Sequence, residues 1–203
     1  MHRLFAGVPL QARTVWIFDL DGTLTEPVHD FAHIRAELGM EPEQDILATI
    51  KNSPASRRCT LLKQLDQWEH HYAALARPAP GALMLLDCLY RKNFPLGILT
   101  RNSRDIALRS LEAIGAARFF QPDNIIGRDE ARPKPDDQGL KILLQQWGEN
   151  PDAAVMIGDY SYDLEAGRSV GCMTIHVDSR DRHWPELTDL RIQSLEELVK
   201  LIK

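Results

Sequence analysis

Apolar residues along this chain gather in short unbroken runs, and each run ends on a small, polar or acidic residue. TVWIFDL reaches Asp19, FPLGILT reaches Thr100, AAVMIGD reaches Asp159 and CMTIHVD reaches Asp178. A run that is apolar at every position suits a strand buried on both faces, the habit of parallel sheets. DNIIG, near residue 125, is a weaker run that fits the same sheet. Between the runs the apolar spacing turns helical, in GALMLLDCLYRKN (81–93), SRDIALRSLEAIG (103–115), DDQGLKILLQQWG (136–148), SYDLEAGRSVG (161–171) and SLEELVKLIK at the end. Ser103 is placed to cap the second of these and Gly115 to stop it. Alternating strands and helices predict an α/β fold, a doubly wound parallel sheet with right-handed connections.

One stretch breaks the alternation. Residues 26–79 hold no convincing strand, and helical patterns run through FAHIRAELG, PEQDILATIK and RRCTLLKQLDQWEHHYAALA, with a loop NSPAS inside. RPAPG (77–81) reads as a stiff return linker. The expected organisation is therefore a core from residues 1–25 and 80–203, with a small α-helical insert at 26–79 after the first strand.

Bulk properties narrow the function classes. A length of 203 residues suits one domain with a smaller insert, large enough to form a core without disulfides. A net charge of −5 argues against a non-specific nucleic-acid partner, which needs a basic excess. No stretch reaches the ~18 apolar residues of a membrane span. The opening MHRLFAGVPLQAR has too short an apolar run for a secretory signal, so a cytoplasmic location is expected. Cys59, Cys88 and Cys172 are far apart and form no C-x-x-C pair, so reduced thiols are expected, not a disulfide or zinc site.

The acidic strand ends carry the chemistry. Ligands of open α/β sheets sit at the carboxyl ends of the strands, where Asp19, Thr100 and Asp159 all fall. Side chains two apart on extended backbone point the same way, so Asp19 and Asp21 can converge on one point. Gly22 offers the backbone freedom for a sharp departure. A cation would relieve the repulsion, and Mg²⁺ prefers carboxylate oxygens. Asp159 supplies a third carboxylate, and Asp163 a fourth on the first turn of the next helix. A phosphate monoester in that crevice would find donors on Thr100 and a movable ammonium on Lys134, which Pro133 and Pro135 keep out of a helix. Asp19 could attack phosphorus as a carboxylate. Asp21, crowded by other acids, could hold a proton for the leaving oxygen and later accept one from water.

These segments resemble the haloacid dehalogenase superfamily, chiefly Mg²⁺-dependent phosphatases. DLDGTLT (19–25) is similar to its first motif, ILTRN (98–102) to its second, RPKP (132–135) to its third and IGDYSYDLEAG (157–167) to its fourth. All four occur in order across nearly the whole chain. The resemblance implies Asp19 as nucleophile and metal ligand. It implies Asp21 as acid/base that also lends its backbone carbonyl to the metal. Asp159 becomes a direct ligand, with Asp163 supporting it through water or by orienting Lys134. The insert falls where phosphoglycolate-phosphatase-like and β-phosphoglucomutase-like members carry a helical cap. Those relatives often have Asp where Glu26 stands, and many have Asn where Arg101 stands.

The implied function is hydrolysis of a small phosphorylated metabolite through a phospho-aspartate on Asp19. The alternatives are a sugar-phosphate mutase of the same fold and a non-catalytic phosphate-ligand binding module. Arg101 is open to three roles: contact with the phosphate, contact with the organic part of the substrate, or a plain surface position. Lys51, Arg57 and Arg58 surround a loop of the insert. Arg57 and Arg58 are candidates for reading an anionic substrate by forked hydrogen bonds, the alternative being a solvated helix start. There is no G-x-G-x-x-G after a strand, no G-x-x-x-x-G-K-[ST] loop and no G-x-S-x-G elbow.

Overall fold

The computed structural model describes residues 9–28, 30–178 and 182–202. Six parallel strands form one sheet: β1 (Val15–Phe18), β2 (Leu96–Leu99), β3 (Ile125–Ile126), β4 (Ala154–Gly158), β5 (Met173–Val177) and β6 (Leu190–Ile192). Their spatial order is β3-β2-β1-β4-β5-β6. The five expected strands are all present. The sixth is an addition: it is three residues long with Arg191 at its centre, too short to show as an apolar run.

Both faces of the sheet are covered, which is why the strands read as continuous apolar runs. Trp16 and Phe18 face one core with Ile98, Val155, Ile157 and Ile175. That core is closed by α4 (Ala82–Arg91), α5 (Arg104–Ala113) and α8 (Leu195–Ile202) through Leu85, Leu89, Leu111 and Leu198. Val15 and Ile17 face the opposite core with Leu99 and Met156. There α6 (Gln138–Trp147) and α7 (Ser161–Val170) supply Leu140, Leu143 and Ala166. The chain thus winds outward from β1 to β3 with helices on one face. It then crosses to β4 and winds the other way with helices on the other face. The winding reverses between β1 and β4, and their carboxyl ends flank the crevice that this reversal leaves.

The helix ends follow their local chemistry. Ser103 caps α5, its side chain accepting from Ile106 N–H. Gly148 and Gly171 end α6 and α7 in the left-handed conformation.

The insert folds as α1 (Phe31–Glu37), α2 (Ile46–Asn52) and α3 (Ala55–Ala74). The expected NSPAS loop is shorter than its sequence, because Ala55 already opens α3 behind Pro54. Ile34, Leu38, Ile46, Ile50, Leu61, Leu65 and Tyr72 form a separate apolar cluster among these helices. The chain leaves and returns side by side. Glu26 N–H donates to the Arg77 carbonyl and Ala79 N–H to the Leu24 carbonyl, both at 2.9 Å. Among the described residues, no helix is long and apolar enough to cross a membrane. Cys59, Cys88 and Cys172 are all free.

Candidate active site

Asp19 follows the last residue of β1, and its N–H stays in register with β4 by donating to the Ile157 carbonyl at 2.8 Å. Its side chain is therefore fixed at the mouth of the crevice, and it is buried. Asp159 occupies the same level after β4, and Asp163 enters from the first turn of α7. Asp19, Asp159 and Asp163 each place a carboxylate oxygen within 4.8 Å of the others. Three hard oxygen donors at this spacing suit an ion such as Mg²⁺.

Lys134 reaches into this cluster and is almost fully buried. Its ammonium lies 2.6 Å from Asp19 Oδ1 and 2.6 Å from Asp163 Oδ1. Burial opposes the charge on Lys134, but Asp163 and Asp19 outweigh it and raise its pKa. The other oxygen of Asp163 accepts from the Tyr160 N–H at 3.1 Å, so Asp163 is braced by its own helix start while it holds the lysine. Thr100 is buried at the end of β2, its N–H donating to the Ile126 carbonyl and its Oγ1 accepting from the Asn102 N–H.

The two acids of the first motif sit in different surroundings. Burial raises Asp19 to about 6, against the pull of Lys134. Asp21 is pushed further, to about 8, by burial and then by the charges of Asp19 and Glu69. Asp159 is raised to about 6 by burial and by Asp19, with Arg182 opposing. Gly22 is where these groups are brought together. Its φ is +89°, and a Cβ there would stand 2.7 Å from Asp159 Oδ2.

Three participants were not apparent in the sequence. Asn102 Nδ2 donates to Asp21 Oδ2 at 2.7 Å. It lies two residues past the end residue Thr100, the same spacing that singled out Asp21 after Asp19. Arg182 Nη2 donates to Asp159 Oδ2 at 3.0 Å and to Asp178 Oδ1 at 3.3 Å. Glu69, buried on α3, receives Arg128 Nη1 at 2.7 Å on both oxygens. No local pattern marks the last two.

The basic residues proposed for substrate contact are placed unequally. Arg101 donates to the Lys134 carbonyl at 3.0 Å and to Asp45 Oδ2 at 2.6 Å, with its guanidinium 4.9 Å from the centroid of the Tyr162 ring. Arg57 and Arg58 are exposed in the first turn of α3, and Arg58 donates to the Ser53 carbonyl of its own loop. A cavity of about 370 Å³ adjoins the acids, lined by Gly22, Glu26, Asp159, Asp178 and Glu197 among others. A larger one, about 510 Å³, lies at the opposite end of the sheet beside Pro151 and Ala153, away from the chemistry.

The doubly wound sheet thus carries clustered carboxylates and a buried lysine at its switch point, a place where such folds bind ligands. The chain belongs to the family described as haloacid dehalogenase-like hydrolase, which matches residues 16–177. It is 27% identical over 217 residues to an N-acetylmuramic acid 6-phosphate phosphatase of Pseudomonas aeruginosa, covering 92% of this chain and 93% of that protein. Among solved structures it resembles a predicted phosphoglycolate phosphatase from Haemophilus somnus, with a TM-score of 0.76, 16% identity and coverage of 96% and 100%. It also resembles the HAD hydrolase YfnB of Bacillus subtilis, a structure bound to magnesium, with a TM-score of 0.68, 19% identity and coverage of 94% and 99%. The chain is thus a member of a hydrolase family whose relatives include named phosphatases.

Proposed function

We infer that this protein is a Mg²⁺-dependent phosphatase that hydrolyses a small organic phosphate monoester through a phospho-aspartate on Asp19. One observation carries the reading. Lys134 sits 2.6 Å from Asp19, while Asp21, two residues on, is pushed up to about 8. Two neighbouring acids, one paired with a buried ammonium and the other pushed further towards its protonated form, suit a nucleophile and a general acid.

In this reading the Asp19 carboxylate attacks phosphorus and the ester P–O bond breaks. Asp21 gives its proton to the departing oxygen. Water then attacks the phosphorus of the acyl phosphate, Asp21 takes a proton from that water, and inorganic phosphate leaves with Asp19 restored. Thr100 and Lys134 bind the phosphoryl oxygens, and Asp163 orients Lys134. Asp19, Asp159, Asp163 and the Asp21 backbone carbonyl would hold Mg²⁺, which supplies positive charge against the transferring group when bound. The magnesium in the YfnB structure supports that choice of ion.

The name of the Pseudomonas relative makes sugar 6-phosphates the first class to try. The test is a phosphate-release screen with Mg²⁺ over sugar phosphates, phosphoglycolate and nucleotides, with Asp19→Asn as the blank. Turnover that survives this substitution refutes the reading. Isomer formation without phosphate release would point to a mutase.

A further inference from the structure

Two of the ion pairs between the helical insert and the core differ in character. Glu69 on α3 binds Arg128 with side-chain exposures of only 7% and 10%. Arg128 is tied in turn to the second-motif loop, its N–H donating to the Asn102 carbonyl at 3.0 Å. α3, which carries Glu69, also packs along α5 of the core, so this edge is held by helix packing as well as by the pair. Asp45 at the start of α2 binds Arg101 with exposures of 31% and 27%. A pair this accessible exchanges its partner for water at little cost. The insert therefore has one fixed edge, at Glu69, and one releasable edge, at Asp45.

Arg101 is more than a surface anchor for the insert. It lies between Thr100 and Asn102, and its second guanidinium nitrogen donates to the backbone carbonyl of Lys134. Its plane rests near the Tyr162 ring, on the helix start that also carries Asp163. One side chain thus touches the insert, the lysine segment and α7.

We propose that Arg101 is a positioning residue that clasps the insert through Asp45, so that closure of the crevice steadies the Lys134 segment. This differs from a role in reading the substrate: the guanidinium is directed to Asp45 and to backbone. The kinetic part rests on the phosphatase reading, but the clasp can be measured without turnover.

Asp45→Asn suits the test. Asp45 Oδ1 accepts from the Ala48 N–H at 2.8 Å as the cap of α2, and Asn can keep that bond while its amide repels Arg101. Asp45→Ser is the second variant, since its hydroxyl caps the helix but is too short to reach Arg101. Hydrogen exchange on the full chain should show the amides of 46–52 exchanging roughly three- to ten-fold faster in both variants and in Arg101→Gln. Where turnover is measurable, kcat should fall by a similar factor with KM less affected. The double variant Asp45→Asn/Arg101→Gln should be no worse than Arg101→Gln alone. Unchanged exchange in the Asp45 variants overturns the proposal. So does a rise in KM confined to Arg101→Gln, which would make Arg101 a direct substrate contact. An absence of phosphatase activity would sink the proposed function but leave the exchange result decisive for the clasp.

Discussion

Gly22 lies directly against Asp159: a methyl group on residue 22 would stand 2.7 Å from Asp159 Oδ2 and 2.9 Å from its Cγ. The same residue has φ +89°, a conformation L side chains avoid. Gly22→Ala should therefore combine backbone strain with displacement of a carboxylate in the acidic cluster. The expected result is a stability loss of ~1–3 kcal/mol and a Mg²⁺ requirement shifted to higher concentration. Chemical denaturation and a Mg²⁺ titration of activity check it. A variant with unchanged Mg²⁺ dependence would show that this approach has no bearing on the metal.

Lys134 is a buried cation whose removal strands two carboxylates. Lys134→Met should cost ~3–5 kcal/mol in the absence of metal, because Asp19 and Asp163 lose their shared partner. Added Mg²⁺ should recover part of that loss and little of the turnover. Urea unfolding with and without Mg²⁺ separates the two effects.

The acidic cluster makes stability depend on pH in a specified direction. Asp21 is raised from 3.8 to about 8, and Asp19 and Asp159 to about 6, mainly by burial. Their protons are held more tightly in the folded state than in the unfolded chain. Without metal, these groups should make folding less favourable as pH rises from 3.8 towards about 8. Magnesium must displace protons from Asp19 and Asp159, so its stabilising effect should grow across about pH 6. Thermal unfolding at about pH 5 and about pH 8, with and without Mg²⁺, tests both. Magnesium stabilisation that is equal at the two pH values contradicts the assignment.

Glu69 is raised to about 7 by burial despite the Arg128 guanidinium beside it. Desolvation thus outweighs attraction in this pair. Glu69→Gln alone should cost about 2–4 kcal/mol, since the buried Arg128 then keeps only the more distant Asp66, 4.0 Å away, as counter-charge. The double replacement Glu69→Leu/Arg128→Met should cost less than either single removal. Denaturation of the three variants decides it, and strictly additive losses would argue against coupling.

The sheet was legible because burial on both faces leaves a run with no polar interruption, as in VWIF and AVMIG. β6 was not, because three residues around Arg191 leave no such run. In the site, Asp19, Asp159 and Thr100 could be located from strand ends, since the winding of the sheet brings such ends together. Asn102 obeyed the same two-residue spacing as Asp21 and could have been found by it. Glu69 and Arg128 are 59 positions apart, and their pairing depends on how α3 docks on the core. Arg182 meets Asp159 across 23 positions for a similar reason. Sequence periodicity carries no information about such docking. Arg57 and Arg58 read from the sequence either as ligand contacts or as a solvated helix start, and both side chains lie exposed in the first turn of α3.

The most direct measurement is of the covalent intermediate. Asp21→Asn removes the group proposed to activate water, while p-nitrophenyl phosphate has a leaving group that needs no acid. Mixing the two with Mg²⁺, quenching in acid and mapping the peptides by mass should place one phosphoryl group on Asp19. The adduct should be missing when Asp19→Asn is added. A phosphoryl group on any other residue, or full phosphate release by Asp19→Asn in an otherwise unaltered chain, would contradict the role given to Asp19.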